Sequence, residues 1–515
     1  MLDKFLKVGC LASLLVLVFW VAPSFAADAP APTLQSVSDA VKAVTDAAKN
    51  AQVSADTAYM LICSALVLFM TPGLAFFYGG FVAKRNILNT LMMSFLLMGI
   101  VGMSWVLWGY SLAFDPGNPF IGSFDWFGLN KVGLETAGYL KELPYEAALK
   151  AADPKYAVMD SYAGTIPHQV FMIYQAMFAI ITPALISGAI VERTSFTAYS
   201  LFVLLWSTFV YSPMAHMVWA KGGFFGLAGG LGALDFAGGT VVHIASGVSA
   251  LTAAIFLGPR KTYPDRVAAP HSVPLILLGA GMLWFGWFGF NAGSALSVAP
   301  GTVDVMVNGA KTSVVTSLAT TAFVATNTAA ASALVMWLLL EKVLRGKPTA
   351  VGAASGAVAG LVGITPAAGF VTPTAAILVG LITATCCFFA ISLKQKLRID
   401  DSLDTFPVHG VGGTVGAILT GVFATTAVNS AGKDGLLYGN PNQVLIQLAA
   451  IGVTYVVAII GTLAILSLLK LLGIGLRPTE NQEQQGMDIN EHGEEGYGEE
   501  FGGGLVAATE APVER

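Results

Sequence analysis

The sequence predicts an all-α polytopic membrane protein that crosses the bilayer eleven times. Of its 515 residues, 55% are hydrophobic and only 11% are charged, and the mean hydropathy is +0.71. Soluble domains do not have this composition. A helix needs about 20 apolar residues to span a bilayer. Apolar runs of that kind lie near residues 57–80, 87–113, 168–190, 197–219, 239–257, 272–291, 312–340, 350–366, 372–393, 407–426 and 443–470.

Residues 1–26 have the pattern of a secretory signal peptide. Two lysines precede a short apolar core, and a small-residue cleavage pattern ends at Ala26. A retained first helix is the alternative, but the apolar core is short for a span. Residues 27–53 are polar and rich in alanine, and we expect them to form a periplasmic N-terminal segment that is a candidate for helical structure and for trimer contacts.

Basic residues are concentrated in every second connection between the predicted spans. By the positive-inside rule these connections face the cytoplasm. An odd number of spans then places the N-terminus outside and the C-terminus inside, which agrees with the signal peptide. The membrane domain is predicted to cover residues 54–470, and residues 471–515 form a cytoplasmic tail. The basic residues are Lys84, Arg85, Arg193, Arg260, Lys261, Arg266, Lys342, Arg345, Lys347, Lys394, Lys396 and Arg398.

Two histidines inside glycine-rich apolar runs give the main indication of function. His243 follows Asp235, and His409 follows Asp401, by the same eight positions. Ionisable side chains at membrane depth are rare, and they often mark a substrate or proton route. The two units fall in the fifth and tenth predicted spans, so the second is inverted, which predicts an inverted five-helix repeat plus a final helix. Such repeats place a site near the bilayer midplane.

For either histidine alone, a core residue bonded to nearby backbone is the ordinary interpretation. The symmetric placement of His243 and His409 favours a shared functional site instead.

Small residues in these spans predict close helix packing. Gly352, Gly356 and Gly360 repeat every fourth residue in the eighth span, and the runs around both histidines are also rich in glycine. Small side chains let helix backbones approach closely in lipid. We therefore expect a compact bundle with a narrow lumen rather than a wide channel.

Several other classes of function are disfavoured by the composition. The net charge of -5 arises largely from an acidic tail, and nothing suggests binding to nucleic acid. Cys63, Cys386 and Cys387 fall in predicted helices, which favours buried thiols over disulfides or a metal site. Neither a metal nor a cofactor is expected.

Seven sequence blocks together are typical of one family of membrane proteins. They are FYGG (77–80), ERTSF (192–196), AHMVW (215–219), GALDFAGGTVVHI (232–244), GWFGFNAGS (286–294), GLVGITPAAG (360–369) and DSLDTFPVHGVGG (401–413). These blocks resemble the ammonium transporter (Amt/MEP/Rh) family. The resemblance covers residues 54–495, in the family's order and spacing. It implies a transporter rather than an enzyme, with eleven helices per protomer, a homotrimer, one pore in each protomer and a location in a bacterial inner membrane.

The resemblance implies an external recruitment site for ammonium made by Trp219, Phe178 and Ser294. Aromatic faces attract a cation, and a hydroxyl oxygen accepts an ammonium N–H. Packing in the apolar core is the alternative for any one of these aromatic rings. Tyr174 lies one turn before Phe178 and is either a further ligand at this site or a residue that faces the vestibule. Methylammonium is a further candidate substrate.

Below that site, Phe178 and Phe290 match the stacked pair that closes the family's pore. The cost of dehydration rejects water and alkali ions at such a plug. Trp287 matches a pore-lining residue, and His243 and His409 match twin histidines that share a ring-to-ring hydrogen bond. The implied mechanism deprotonates ammonium, passes ammonia through the lumen and relays the proton along the histidines, so that one positive charge crosses the membrane.

Three aspartates are expected to act through structure and electrostatics. Asp235 is predicted to be a buried helix-start carboxylate that accepts backbone N–H bonds and adds negative potential near the recruitment site. Asp401 holds the equivalent place in the second repeat, and Asp404 lies nearer the helix start. We expect both to be N-caps.

The tail and the longest loop have weaker signals. Residues 475–500 resemble the region by which bacterial ammonium transporters couple their protomers and dock a trimeric PII-type nitrogen-sensing protein. Disorder is the alternative for an acidic, glycine-rich segment, above all after residue 500. The external loop 114–167 is expected to form a solvated cover over the vestibule.

Three other functions compete with transport of ammonium. An ammonium sensor that signals through a cytoplasmic partner uses the same site with little transport. A redox enzyme with His243 and His409 as haem ligands leaves no space for a porphyrin beside two phenylalanines. A neutral gas channel of the Rh type is disfavoured because Trp219 and Ser294 are present.

Overall fold

The computed structural model describes residues 33–133, 162, 164–265, 269–298, 301–307 and 310–497. Ten helices in this part of the chain are long and apolar enough to span a membrane, and an eleventh, α8, is shorter. The predicted eleven-helix membrane fold is confirmed. The helices are α1 Leu34–Phe81, α2 Lys84–Phe114, α3 His168–Ile190, α4 Phe196–Trp219, α5 Gly239–Leu257, α6 Val273–Gly293, α7 Leu318–Arg345, α8 Ala350–Ile364, α9 Pro373–Lys396, α10 Phe406–Phe423 and α11 Asn442–Leu471.

Three of the sequence predictions concern segments that lie wholly or mainly outside the described residues. These are the signal peptide at residues 1–26, the central part of the 114–167 loop and the end of the acidic tail.

The largest departures from the predicted spans are at the starts of α1 and α7. The helix α1 begins at Leu34, well before the predicted 57, and α7 begins at Leu318 rather than 312. Residues before α7 form an antiparallel hairpin of β1 (Gly301–Val307) and β2 (Ala310–Thr316). Both strands are rich in β-branched residues, which favour extended structure over helix. An apolar window alone does not separate such a strand from the helix that follows it.

Hydroxyl side chains cap the N-termini of six of the apolar helices. In each case the side-chain oxygen accepts a hydrogen bond from a backbone N–H in the first turn, which satisfies a donor that the helix leaves unpaired. The six caps are Thr33 at α1, Ser195 at α4, Ser272 at α6, Ser317 at α7, Thr349 at α8 and Thr372 at α9.

Four helices contain a π-helical turn. In α2 and α4 it lies inside the helix, at Trp105–Gly109 and Ser207–Tyr211. In α5 and α10 it forms the first turn, at Gly239–Ile244 and Phe406–Val411. Such turns are rare and often occur at functional sites. Here the two that open a helix carry the two histidines.

The helices α5 and α10 run antiparallel and cross closely. At its first residues α5 lies beside Asp235, and at its far end Arg477 of the tail donates to Leu257 O. The start of α10 lies at that same far end, because Arg260, just after α5, contacts Asp400, just before α10, at 2.8 Å. At the crossing, a Cβ on Gly247 would collide with the backbone of Gly410. Glycine therefore permits the predicted close approach, and the arrangement agrees with an inverted repeat.

The first part of the tail folds back onto the bundle as two short helices, α12 (Glu480–Gln485) and α13 (Met487–His492). Asp488 accepts hydrogen bonds from the backbone N–H groups of Leu88, at 3.0 Å, and Asn89, at 2.8 Å, near the start of α2. Glu491 accepts one from Phe196 N at the start of α4. The tail thus packs against the same end of the bundle as the basic connections.

Candidate functional site

A vestibule opens at the end of the bundle opposite the tail. Trp219, at the last residue of α4, is partly buried, and its indole N–H donates to Asp235 O at 3.0 Å. The rings of Phe178 and Trp219 are nearly perpendicular, with their centroids 5.9 Å apart. The vestibule is lined by Tyr162, Phe171, Gln175, Phe178, Trp219, Phe236, Ser294 and Leu296. The structure therefore brings together the three residues predicted for recruitment.

Tyr174 does not face the vestibule, contrary to both roles that the sequence left open. Its side chain is fully buried, and its hydroxyl lies 2.8 Å from Phe290 O and 3.0 Å from Gly289 O. The same hydroxyl is 3.2 Å from Ser294 Oγ, which in turn donates to Phe290 O. Tyr174 thus links α3 to the end of α6, and its hydroxyl contacts Ser294 from the buried side.

The floor of the vestibule is the predicted phenylalanine pair. The rings of Phe178 and Phe290 stack with their centroids 4.2 Å apart and their planes at 28°. Each side chain is only 1% exposed. Because the rings are in contact, a hydrated ion cannot pass between them unless they move.

Beneath the floor is a narrow lumen. Apart from the two histidines its walls are apolar, so within it a proton has no other ionisable side chain to occupy. The lumen is lined by Met70, Leu74, Phe77, Ile181, Leu185, Val242, His243, Leu283, Trp287, Phe290, Val358 and His409.

The two histidines contact each other inside the lumen. His409 Nδ1 lies 3.2 Å from His243 Nδ1, and one ring donates while the other accepts according to the tautomer. The ring centroids are 5.3 Å apart. His243 Nε2 has no hydrogen-bond partner among the described residues. A direct ring-to-ring contact leaves no space for an iron ion between the two nitrogens.

Trp287 connects the histidines to the aromatic floor. Its ring stacks on His243 at 5.5 Å between centroids, with the planes at 21°. The indole N–H donates to Thr365 Oγ1 at 2.9 Å, and this bond fixes the ring against α8. The lumen therefore has a rigid aromatic wall beside the first histidine.

Asp235 is a helix-start carboxylate, as the sequence predicts. Its Oδ1 accepts from Gly238 N and Gly239 N, both at 2.6 Å, and its Oδ2 accepts from Thr240 N at 2.8 Å and from the Thr240 hydroxyl. Gly238 has a φ of +116°, which a residue with a Cβ rarely adopts. The side chain of Asp235 is therefore fully engaged by the first turn of α5.

Only one of the two aspartates predicted to cap α10 does so. Asp401 accepts from Thr405 N at 3.0 Å and Phe406 N at 2.7 Å, as predicted. Asp404 departs from the prediction, because its carboxylate lies 2.5 Å from Lys394 Nζ. Its backbone φ of +58° places it in a tight turn rather than in a cap. A side chain can pair across such a turn, which spacing along the sequence does not reveal.

An ionic cluster braces the end of the bundle near Asp401. Arg260 contacts Glu192 at 2.6 Å and Asp400 at 2.8 Å, and Arg193 lies 3.6 Å from Asp400. Burial lowers the pKa of Arg193 to about 10, which nearby Asp400 partly offsets. Burial opposes the ionisation of Glu192, yet Arg260 and hydrogen bonds from Ala83 N and the Asn86 amide hold the pKa of that carboxyl below its usual value. The cluster links three connections between helices.

Several residues of the site were not predicted. Gln175 lines the vestibule, is 9% exposed, and its Oε1 has no hydrogen-bond partner among the described residues. An amide in the middle of an apolar span is a signal that the sequence did contain. Tyr162 and Phe236 also line the vestibule, but both lie in connections between helices, where helical spacing does not indicate the direction of a side chain, so only the fold reveals them.

Known proteins share both the sequence and the fold of this chain. A model of the Ammonium Transporter Family matches residues 58–497. An ammonium transporter of Bacillus subtilis (strain 168) is 48% identical over 443 residues, which cover 86% of this chain and 98% of that protein. An ammonium transporter of Aquifex aeolicus (strain VF5) is 46% identical over 450 residues, or 86% and 93% of the two chains.

Two solved structures illustrate the similarity of the fold. Mep2 of Candida albicans superposes with a TM-score of 0.71 and 32% identity, covering 84% of this chain and 88% of that one. A structure described as a sensor Amt protein superposes with a TM-score of 0.69 and 27% identity, covering 86% of this chain and 99% of that one.

Proposed function

Because the chain belongs to the ammonium transporter family, we propose that it moves ammonium across a membrane by separating it into ammonia and a proton. The observation that carries this proposal is the order in which the vestibule, the phenylalanine floor and the lumen follow one another. The vestibule lies above the phenylalanine floor, and the floor lies above a lumen in which His243 and His409 are in contact. In this proposal the chain acts as a transporter of ammonium rather than as an enzyme.

Recruitment takes place in the vestibule. The faces of Trp219 and Phe178 attract the cation, with about 0.5 to 2 kcal/mol for each cation–π contact. Ser294 Oγ accepts one ammonium N–H, and Gln175, whose Oε1 lacks a partner, supplies a further acceptor. Asp235 adds negative potential through space, since its oxygens are occupied by the first turn of α5.

Tyr174→Phe tests the support behind Ser294. Loss of the hydroxyl removes one buried hydrogen bond, worth about 1 kcal/mol, and frees the Ser294 side chain to rotate. The expected result is a folded protein that needs more ammonium for half-maximal current, with the maximal current little changed. The measurement is the ammonium dependence of the current in proteoliposomes. Tyr455→Phe is the matched control, because its hydroxyl bonds Thr414 away from the vestibule; equal curves for both variants would contradict the assigned role.

Passage below the floor requires loss of the proton. Ammonia crosses the apolar lumen because it has no net charge, whereas an ion would lose its hydration shell there. The proton passes along His243 and His409, each of which accepts at one nitrogen and donates at the other. One positive charge is thereby moved for each ammonium taken up.

Uptake runs from the vestibule towards the end that carries the tail. We assign the basic connections and the tail to the cytoplasm by the positive-inside rule, and the vestibule to the periplasm of a bacterial inner membrane. Cleavage of residues 1–26 as a signal peptide fits this orientation. The segment 33–53 then projects into the periplasm as the start of α1.

Three copies of the chain form the working transporter in this proposal, each with its own pore. The tail is the candidate docking region for a trimeric PII-type nitrogen-sensing protein. Support for the tail's role lies in its contacts, since Asp488 and Glu491 bond the first turns of α2 and α4, and Arg477 bonds the end of α5. A partner that binds the tail would act on the helix that carries His243.

Removal of the tail after Gly475 tests this docking region. The expected result is retained ammonium current with loss of inhibition by an added PII-type protein, together with a lower melting temperature because three helix ends lose their bonding partners. The measurements are current with and without the PII-type protein, and thermal unfolding. Inhibition equal to that of the full chain would remove the tail from the docking proposal.

The central experiment records charge movement after a jump in ammonium concentration, with the full-length protein on a solid-supported membrane. A transient current that rises with ammonium and is absent with sodium or potassium supports electrogenic transport. Ammonium binding without current would overturn it. That outcome favours an ammonium sensor, the second candidate, which has the similarity to the sensor Amt structure in its favour.

A further inference from the structure

The first twenty residues of α1 project from the bundle without contacts to the rest of the described chain that would bury them. A helix of 48 residues is about 72 Å long at about 1.5 Å per residue, and a bilayer core is only about 30 Å thick. Residues 33–52 are exposed, apart from the partly buried Asp46, and the first fully buried residue is Asp56. The helix continues into the span without a break, so this segment stands out from the membrane.

The exposed segment carries an apolar stripe with a heptad period. Its residues are separated by three and four positions in alternation, which is the pattern of the inner seam of a coiled coil. Leu34 is 92% exposed and Val44 is 57% exposed, so nothing in the described chain covers the stripe. The stripe consists of Leu34, Val37, Val41, Val44, Ala48 and Ala51.

All charged residues of the segment lie on the opposite face. Asp39, Lys42, Asp46 and Lys49 occupy the outer positions of the heptads, away from the stripe. The positions that flank the stripe hold small or uncharged residues, including Ser38, Ala40, Thr45 and Ala47. Two copies of this face can therefore meet without repulsion between like charges.

A free helix of this kind is poorly stabilised by itself. Isolated helices of such length are marginal in water, and the valines and threonine in it have only moderate helix propensity. An exposed row of large apolar side chains also marks a surface for association. The segment thus needs a partner that covers the stripe.

We propose that the stripe packs against the same stripe of other copies of this chain, as a parallel coiled coil above the membrane. The orientation follows from the membrane, because every copy is inserted in the same sense and each segment is a rigid extension of its first span. The absence of charge on and beside the stripe fits a partner with an identical face and offers nothing to a charged peptide. The lipid surface is excluded as the covering partner because the helix has no bend that would lay it flat.

The number of strands agrees with three copies. Val37 and Val41 place β-branched residues at both positions of the inner seam, and β-branched residues at both favour more than two strands. The small flanking residues let three helices approach closely. This part of the inference rests on the proposed homotrimer.

Disulfide cross-linking of the full-length protein in native membranes tests the proposal. Val41→Cys puts a thiol on the stripe, and Asp39→Cys puts one on the outer face of the same turn. With a copper-phenanthroline oxidant, the expected result is a majority of Val41→Cys chains linked in pairs, and linkage of Asp39→Cys no higher than in wild type. The wild-type chain gives the background, since its described cysteines, Cys63, Cys386 and Cys387, are buried or partly buried.

A second measurement separates this proposal from the homotrimer. The mass of the detergent-solubilised particle is determined for wild type and for Val41→Cys. A three-copy particle without linkage at Val41→Cys would overturn the coiled coil and leave the homotrimer standing. A single-copy particle would overturn both. Equal linkage of the two cysteine variants, or linkage of Val41→Cys to a chain of different mass, would also overturn the self-association of the stripe.

Discussion

Replacement of His243 by alanine is expected to abolish the ammonium-dependent current while leaving the protein folded. His243 is the first histidine below the phenylalanine floor, and its Nδ1 lies 3.2 Å from His409 Nδ1. Without it, a proton released above the lumen has no neighbouring group to accept it. A positioned acid or base contributes about 10² to 10⁴-fold to a proton-transfer rate, so the current should fall by at least about 10²-fold.

Movement of neutral ammonia should survive this change. An uncharged molecule needs no proton relay, and the smaller alanine side chain only widens the apolar path. The test therefore has two readouts, which are current on a solid-supported membrane and alkalinisation of the vesicle interior after an ammonium jump. The expected result is that the current is lost and the alkalinisation of the vesicle interior is retained.

His271→Ala provides the matched control for the loss of a histidine. His271 lies outside the lumen, where its ring nitrogens contact Val82 O and Tyr497 OH. This variant should keep the wild-type current. If His243→Ala carried as much current as His271→Ala, the proton would have to move by another route and the relay would be wrong.

The pairing of the two histidines was predictable because membrane topology is strongly encoded in the chain. Span length and basic connections gave the order of the helices, and the equal spacing of Asp235 from His243 and of Asp401 from His409 indicated symmetry. The contact at 3.2 Å agrees with that prediction. Direct contact also needs the crossing at Gly247 and Gly410, where the backbones almost touch.

The role of Tyr174 could not be read from the sequence. Helical periodicity places Tyr174 one turn from Phe178, on nearly the same face, and therefore predicts that Tyr174 also reaches the vestibule. The structure turns its hydroxyl towards the carbonyls of Gly289 and Phe290. The direction of the Tyr174 side chain depends on where α6 ends. The position of α6 relative to α3 is a tertiary property, which residue spacing along one helix does not predict.

The prediction for the segment before α7 was wrong for a different reason. Hydropathy measures how apolar a window is, and the strands Gly301–Val307 and Ala310–Thr316 contain many of the same valines and threonines that helices in membranes contain. The start of α7 is fixed instead by the Ser317 cap, which accepts from Thr320 N. A capping hydroxyl is a sequence signal, and here it would have placed the boundary more accurately than the apolar window.

Replacement of Asp235 by alanine is expected to destabilise the fold severely as well as stop transport. Five donors lose their acceptor, namely the backbone N–H groups of Gly238, Gly239, Thr240 and Val241 and the Thr240 hydroxyl. Each buried donor left unsatisfied costs about 1 to 3 kcal/mol, against a total stability of about 5 to 15 kcal/mol for a typical domain. A large fall in melting temperature and little folded protein in the membrane are therefore expected.

Asp235→Asn separates the structural role of the carboxylate from its charge. The amide oxygen still accepts from the first turn of α5, so the variant should fold, although its N–H₂ group replaces one acceptor. The negative charge near the vestibule is lost, and half-maximal current should require more ammonium. Asp401→Asn is the matched control, because it makes the same change at the start of α10, at the end of the bundle far from the vestibule. If Asp235→Asn and Asp401→Asn had the same ammonium dependence, Asp235 would serve the helix start alone, and the attraction of the cation would belong entirely to Trp219, Phe178 and Ser294.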